Sequence, residues 1–204
     1  MHETLEYPYQ SSEPTTAHRY LLPALLRILS TIPMDRVFEV GCGNGAVASA
    51  LDRRGYSVVG VDASASGIAH ARAAFPQLEL YQGDAYQDLA ARYGRFPIVI
   101  SLEVVEHVYD PRLFVRRCYD LVDEGGSFIL STPFHGYWKN LAMALTGKMD
   151  AHFTALWDGG HIKFWSEQTL STLMTEVGFN NIQFSRVGRI PPLAKSVLAI
   201  AKRS

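Results

Sequence analysis

The sequence holds only two cysteines, Cys42 and Cys118. They form neither a metal-ligand spacing nor a disulfide framework, which points to a reducing compartment. No apolar run approaches the roughly 18 residues that a membrane span needs. The stretch "MHETLEYPYQSSEP" has no basic start followed by an apolar core, so it does not read as a secretory signal. Neither sign of charge dominates, with 19 Lys and Arg against 20 Asp and Glu and no long basic run. The electrostatic footprint of a nucleic-acid binder is therefore missing. Internal repeats and low-complexity tracts are absent too. The expectation is a cytoplasmic protein, monomer or homodimer, with no nucleic-acid partner and no stable membrane insertion. What is present suffices for one domain with a sizeable core: 204 residues, 48% of them hydrophobic and 19% charged.

Residues 1–16 are polar and carry Pro8 and Pro14, the pattern of an irregular arm. "TAHRYLLPALLRIL" then spaces leucines for a helix that Pro23 should kink or restart. Four strand-and-helix alternations follow: Val37–Val40 with 44–54, Ser57–Val61 with 64–74, Leu78–Tyr81 with 86–93, and Ile98–Leu102 with 111–121. Gly125-Gly126 turns the chain into a fifth strand, Phe128–Ser131. These short, continuous apolar runs suit strands covered on both faces by helices. The pattern predicts a doubly wound α/β sheet, mostly parallel. Residues 132–165 break it with an aromatic-rich, irregular insert. A helix capped by Ser166 and ended at Gly178, then strands at 181–187 and 196–201, close the domain. The parts are thus an arm and helix (1–30), a binding core (36–131), a lid (132–165) and a closing unit (166–204).

The glycine cluster between the first strand and helix reads Gly41-Cys-Gly43-Asn-Gly45, with Glu39 just ahead of it. A dinucleotide site wants G-x-G-x-x-G and a pyrophosphate at the helix N-terminus. A carboxylate beside the turn repels pyrophosphate and suits a ligand with cationic groups. S-adenosylmethionine, with a sulfonium and an ammonium but no phosphate, is such a ligand. Asp62 ends the second strand, where a carboxylate can accept both ribose hydroxyls. Asp84 follows the third strand, placed to accept from an adenine amino group, with the Ala85 N–H completing that edge. The alternative for both aspartates is that they cap the helices that follow.

The ordered set "VFEVGCGNG…VVGVD…QGDA…IVISLEVVEHV…DEGGSFILSTP" resembles the class I S-adenosylmethionine-dependent methyltransferases over residues 36–132. The resemblance implies a seven-stranded Rossmann-like sheet with its last strand antiparallel. It implies that Gly41 and Gly43 let the backbone approach the methionine moiety and that Glu39 holds its amino end. Asp62 with Ala63 would serve the ribose, Asp84 with Ala85 the adenine, and Leu102 would complete the lining. Cys42 reads as a small filler of the turn rather than a nucleophile. Arg19 and His18, on the first helix, are candidates to reach the cofactor carboxylate.

"SLEVVEHVYDP" resembles the matching segment of the ubiquinone-biosynthesis O-methyltransferases, and "GGHIKFWS" their return segment. Small-RNA 2′-O-methyltransferases also carry a Glu-x-x-Glu-His element there, as metal ligands. On a helical turn Glu103, Glu106 and His107 share one face. They could bind Mg²⁺ and polarise an acceptor hydroxyl. Alternatively His107 is a general base oriented by a carboxylate, or it merely packs beside the cofactor. His135, directly after the fifth strand, is a further catalytic candidate, whereas His152 and His161 fall in the lid.

Aromatic side chains gather outside the sheet: Tyr7 and Tyr9 in the arm, and Phe134, Tyr137, Trp138, Phe153, Trp157, Phe164 and Trp165 in the insert. Pockets for flat ligands are lined this way, and a satellite core under the lid is the alternative. Tyr7, Tyr9, Phe134, Trp138, Trp157 and His161 are the candidate acceptor-lining residues. The expected substrate is a small planar phenol or quinol, or a nitrogen heterocycle of the pteridine or azapteridine kind. Other readings are an RNA 2′-O-methyltransferase and a cofactor-binding protein without catalysis. "RIPPLAKSVLAIAKRS" reads as a last strand in preference to a membrane-surface segment.

Overall fold

The structure is a computed structural model and describes residues 8–204. A seven-stranded sheet runs in the order β3-β2-β1-β4-β5-β7-β6. Its members are β1 (Arg36–Val40), β2 (Ser57–Asp62), β3 (Glu79–Gln82), β4 (Phe96–Leu102), β5 (Val122–Pro133), β6 (Phe179–Val187) and β7 (Ser196–Arg203). β7 pairs antiparallel with both β5 and β6, and the other ladders are parallel. Strand order reverses between β1 and β4, and ligands of such sheets sit beyond the carboxyl ends at that point.

Alternation along the strands explains the two-sided core. Val37, Ile98 and Ile100 face one apolar cluster, while Phe38, Val40 and Val99 face the other. Leu21, Leu25 and Leu29 of α1 (His18–Leu29) cover the first face with Val47 and Leu51 of α2 (Ala46–Asp52) and Ile68 of α3 (Ala65–Ala74). The second face is covered by Leu89 of α4 (Leu89–Tyr93), Phe114, Val115 and Cys118 of α5 (Pro111–Leu121), and Leu170, Leu173 and Met174 of α8 (Glu167–Val177).

Local chemistry sets the helix ends. The side chains of Ser64, Asp88, Asp110 and Ser166 accept from the backbone N–H three residues on. Asp88 therefore starts α4 later than the apolar spacing of 86–93 implied. Ser166 and Thr169 form a reciprocal capping box, and Gly178 ends α8 in the left-handed region.

Three sequence expectations need correction. Pro23 does not restart α1, which runs continuously from His18 to Leu29 with the proline on its exposed side. Gly125-Gly126 do not precede a new strand: β5 begins at Val122 and takes them up as a register shift against β4. The insert is not wholly irregular, since it contains α6 (Tyr137–Leu145) and α7 (Met149–Phe153). Neither buries a residue, so no core-facing stripe marked them as helices.

Candidate active site

The glycine turn makes the N-terminus of α2, with Gly45 as its cap. Gly41 and Gly43 have φ of +84° and +50°, in the region that side-chain-bearing residues avoid. A Cβ on Gly41 would fall 2.3 Å from Val104 Cγ2, so the loop after β4 can approach the turn only because Cβ is missing. Asp62 closes the turn from the side, its Oδ2 accepting from Gly43 N at 2.8 Å and its Oδ1 from Ser64 N at 2.8 Å. Cys42 is buried, and loss of solvent pushes its thiol pKa well up, which suits a filler and not a nucleophile. Glu39, 2% exposed, lies behind the turn with Oε2 lacking any hydrogen-bond partner among the described residues. Burial, then the Asp62 charge, raises its pKa to about 8. Asp84 is exposed and its Oδ1 accepts from Tyr86 N at 2.9 Å, leaving the rest of the carboxylate toward solvent beside Ala85.

The segment after β4 departs from the helical turn expected of it. Glu103 has φ +56°, left-handed and strained for a residue with a side chain, and 105–107 form a turn rather than a helix. The bonds that hold it there come from β5 and β7: Glu103 N donates to Ser131 Oγ at 3.0 Å, and Ser131 Oγ donates to Glu103 Oε1 at 2.8 Å. Ser196 Oγ donates to Oε2 at 3.3 Å and is paired in turn with Tyr20 Oη. Burial raises the Glu103 pKa to about 7 against those hydrogen bonds and the charge of Lys139. Glu103 consequently does not join Glu106 and His107 in one ligand set, a correction to the three-and-four spacing.

His161 takes that place. One ligand atom from each of Glu106, His107 and His161 lies within 4.8 Å of the others. Glu106 is 1% exposed, and its carboxyl group meets the buried Thr132 hydroxyl at a geometry short of a full hydrogen bond, with no other hydrogen-bond partner among the described residues. Burial, reinforced by the Glu103 charge, drives its pKa well above the usual carboxylate range. His161 Nε2 stands 3.9 Å from Glu106 Oε1, and burial together with His107 lowers its pKa to about 4. His107 is oriented not by a carboxylate but by backbone: Nδ1 lies 2.9 Å from Gly159 O and 3.2 Å from Gly160 O. A carbonyl can only accept, so Nδ1 carries the hydrogen and the neutral ring presents its lone pair at Nε2.

The same contacts dock the lid. Ile162 N and Lys163 N both donate to Glu106 O, and Trp165 Nε1 donates to Val105 O at 3.3 Å. Trp157 lies against both imidazoles, its ring 6.2 Å from His107 and 5.5 Å from His161.

The methyltransferase-domain family profile matches residues 14–184. The chain belongs to that family. The ubiquinone biosynthesis O-methyltransferase of Cereibacter sphaeroides is 34% identical over 154 residues, covering 72% of this chain and 61% of that protein. The protein of the same name from Bradyrhizobium diazoefficiens is 36% identical over 125 residues, covering 60% of this chain and 49% of its own. The chain therefore spans about half to three-fifths of the length of these curated relatives. Among solved structures, magnesium protoporphyrin IX methyltransferase from Synechocystis PCC 6803 with bound SAH superposes with a TM-score of 0.68 at 20% identity. That match covers 90% of this chain and 81% of the other, and it shows the shared fold.

The family's cofactor is S-adenosylmethionine, and the residues present fit it. A carboxylate oxygen buried without a partner at Glu39 is the complement of an ammonium, and the glycine turn leaves backbone where side chains would stand. Asp62 ends β2 with Ala63 exposed beside it, and Leu102 ends β4 facing the turn's own cluster with Cys42.

Other candidates fall elsewhere. Arg19 is exposed on α1 without an ion pair among the described residues, and His18 Nδ1 accepts from Thr15 N. Tyr7 lies outside the described residues. Tyr9 lies on the glycine turn, not against the lid. Trp138 is 64% exposed on α6, packed on Tyr137. Phe134 is buried with Ala194 and Val197. His135 forms a second group with His152, Phe153 and Phe164, facing the Asn140 side chain, and its pKa is lowered to about 4 by burial and Lys139. Sequence reasoning did not single out Ser131, Ser196, Tyr20, Gly159 or Asn44. Their parts depend on contacts across 28 to 176 residues, which no local pattern announces.

Proposed function

We propose that this domain transfers the methyl group of S-adenosylmethionine to a hydroxyl oxygen of a small planar aromatic acceptor, a phenol, catechol or quinol. The observation that carries the reading is the Glu106–His107–His161 cluster beneath the lid, whose buried carboxyl oxygens have no well-formed hydrogen bond among the described residues. Leaving such atoms unsatisfied costs about 1–3 kcal/mol each, which a site tolerates when a ligand completes it. The names of the curated relatives, O-methyltransferases, favour oxygen over ring nitrogen.

Two imidazole nitrogens and one carboxylate suit Mn²⁺, Zn²⁺ or a similar ion better than Mg²⁺, which prefers oxygen. A divalent cation held by Glu106, His107 and His161 would lower the pKa of the acceptor hydroxyl. The chain does the remaining work. Gly159 O fixes the His107 tautomer, so that Nε2 is the ring atom available to a cation or an acceptor proton. Gly41 and Gly43 give the backbone close access to the methionine end, Glu39 faces its ammonium, and Asp62 takes the ribose. Trp157, packed against His107 and His161, walls the acceptor side and keeps water from the transfer. Displacement at a methyl carbon then needs alignment above all, since the sulfonium is already a good leaving group.

The test is product analysis after incubation with paired acceptors, catechols and hydroquinones against pteridine-like heterocycles. Methyl ethers of the phenols are the expected products. Methylation confined to ring nitrogen would overturn the oxygen assignment.

A further inference from the structure

The chain ahead of α1 is fastened to the glycine turn by a residue that the turn itself does not require. Asn44 is 2% exposed and donates both hydrogens of its amide to the arm, to Ser11 O at 2.8 Å and Glu13 O at 2.9 Å. Its Oδ1 meanwhile accepts from Ala46 N at 3.3 Å, at the start of α2. Further along the arm, Tyr9 N donates to Ser66 Oγ at 3.2 Å. Ser66 Oγ lies 3.1 Å from Ser64 Oγ, and Ser64 N donates to Asp62 Oδ1 at 2.8 Å. A relay of hydrogen-bonded groups thus runs from the arm to the carboxylate that faces the ribose site. The Tyr9 ring completes the contact. A Cβ on Gly43 would fall 2.2 Å from Tyr9 Oη, and one on Gly67 would fall 2.9 Å from Tyr9 Cδ2. Two glycines on separate elements make room for one aromatic side chain.

We propose that residues 8–13 are a latch over the bound cofactor, with Asn44 as the positioning residue that fastens it and Tyr9 as the side chain that covers the turn. The latch concerns retention of the cofactor and holds whatever the acceptor is. Opening it exposes two amide hydrogens and two carbonyls at once, so it is released as a unit and not loosened by degrees. By linkage, an arm that strengthens cofactor binding when closed must itself be held closed by the cofactor to the same factor. Departure of S-adenosylhomocysteine then requires the Asn44 bonds to break, and the latch sets its residence time.

The test uses the full chain and S-adenosylhomocysteine, read by hydrogen exchange over residues 8–16 and by the dissociation rate of the ligand. Asn44→Asp keeps the oxygen that caps Ala46 N and removes both donors to the arm. Tyr9→Ala removes the cover without touching the turn, and it keeps the test readable if the Asp variant does not fold. The expected results are exchange slowed at least tenfold in the wild-type arm on binding, and dissociation at least tenfold faster in each folded variant. Arm exchange that is unchanged or faster on binding would overturn the proposal, because the ring would then be a plug that the cofactor displaces. Wild-type dissociation rates in the folded variants would overturn it as well. Calorimetric titration of the wild type separates these outcomes from a failure of the cofactor assignment, which would show as no binding at all.

Discussion

Glu39 is a carboxyl group kept where water cannot reach it, and its ionisation should be visible in stability. Its folded pKa of about 8 stands above the ordinary 4.5, so the folded chain retains a proton that the unfolded chain gives up. The contribution is complete below the unfolded pKa and is lost as pH rises through the folded one. Between pH 5 and pH 9 the cofactor-free wild type should lose about 2–4 kcal/mol more stability than Glu39→Gln. Urea unfolding at the two pH values measures the difference, and parallel pH profiles would refute it. The variant should also bind S-adenosylhomocysteine at least tenfold more weakly. Glu39 and Asp62 were legible in the sequence because each sits in phase at a strand end, where the backbone leaves little choice of direction. Glu103 misled for the converse reason. Its spacing to Glu106 and His107 implies a shared face only if the chain is helical, and at φ +56° it is not.

At the scale of elements, punctuation was read more reliably than the lid. Ser166 and Gly178 bracket α8 as their chemistry demands. Ser166→Ala should cost about 0.5–2 kcal/mol by leaving Thr169 N without its acceptor. Thermal unfolding measures this, while KM for cofactor and acceptor should stay at wild-type values. A variant of unchanged stability would show that the box adds nothing beyond packing. The lid obeys another logic. Its helices bury nothing in the core, and what fixes it is the backbone of 159–163 bonded to His107 and to Glu106 O. Docking through the backbone of 159–163 leaves no signature in the residue types of that segment. His161 was visible as a histidine in a returning segment, but not as the partner of Glu106.

Across the whole molecule the strand pattern carried the topology. Five short apolar runs, each followed by a helix or turn, are enough for a doubly wound sheet, because parallel strands need crossovers of one hand. The closing pair was harder: that β7 inserts between β5 and β6 follows from pairing over the sheet edge, which periodicity does not encode. This arrangement has a chemical consequence. It brings Ser196 at the start of β7 beside Glu103, just after β4, holding that carboxyl away from the cluster to which Glu106 belongs. Two open recesses, one lined by Pro33 and Tyr56 and the other by Ile28 and Lys202, lie at the opposite end of the strands and take no part.

A cation-dependent site at Glu106, His107 and His161, as proposed for methyl transfer to oxygen, has a clear kinetic signature. The most direct measurement is the rate of S-adenosylhomocysteine formation with a catechol acceptor, before and after exhaustive chelation and on return of Mn²⁺, for wild type and Glu106→Gln. Wild-type turnover should fall at least 100-fold on chelation and recover with the ion, while the variant stays low throughout and binds S-adenosylhomocysteine as tightly as wild type. Turnover that survives chelation undiminished would contradict the cation site and leave the lone pair of His107 to act as a base.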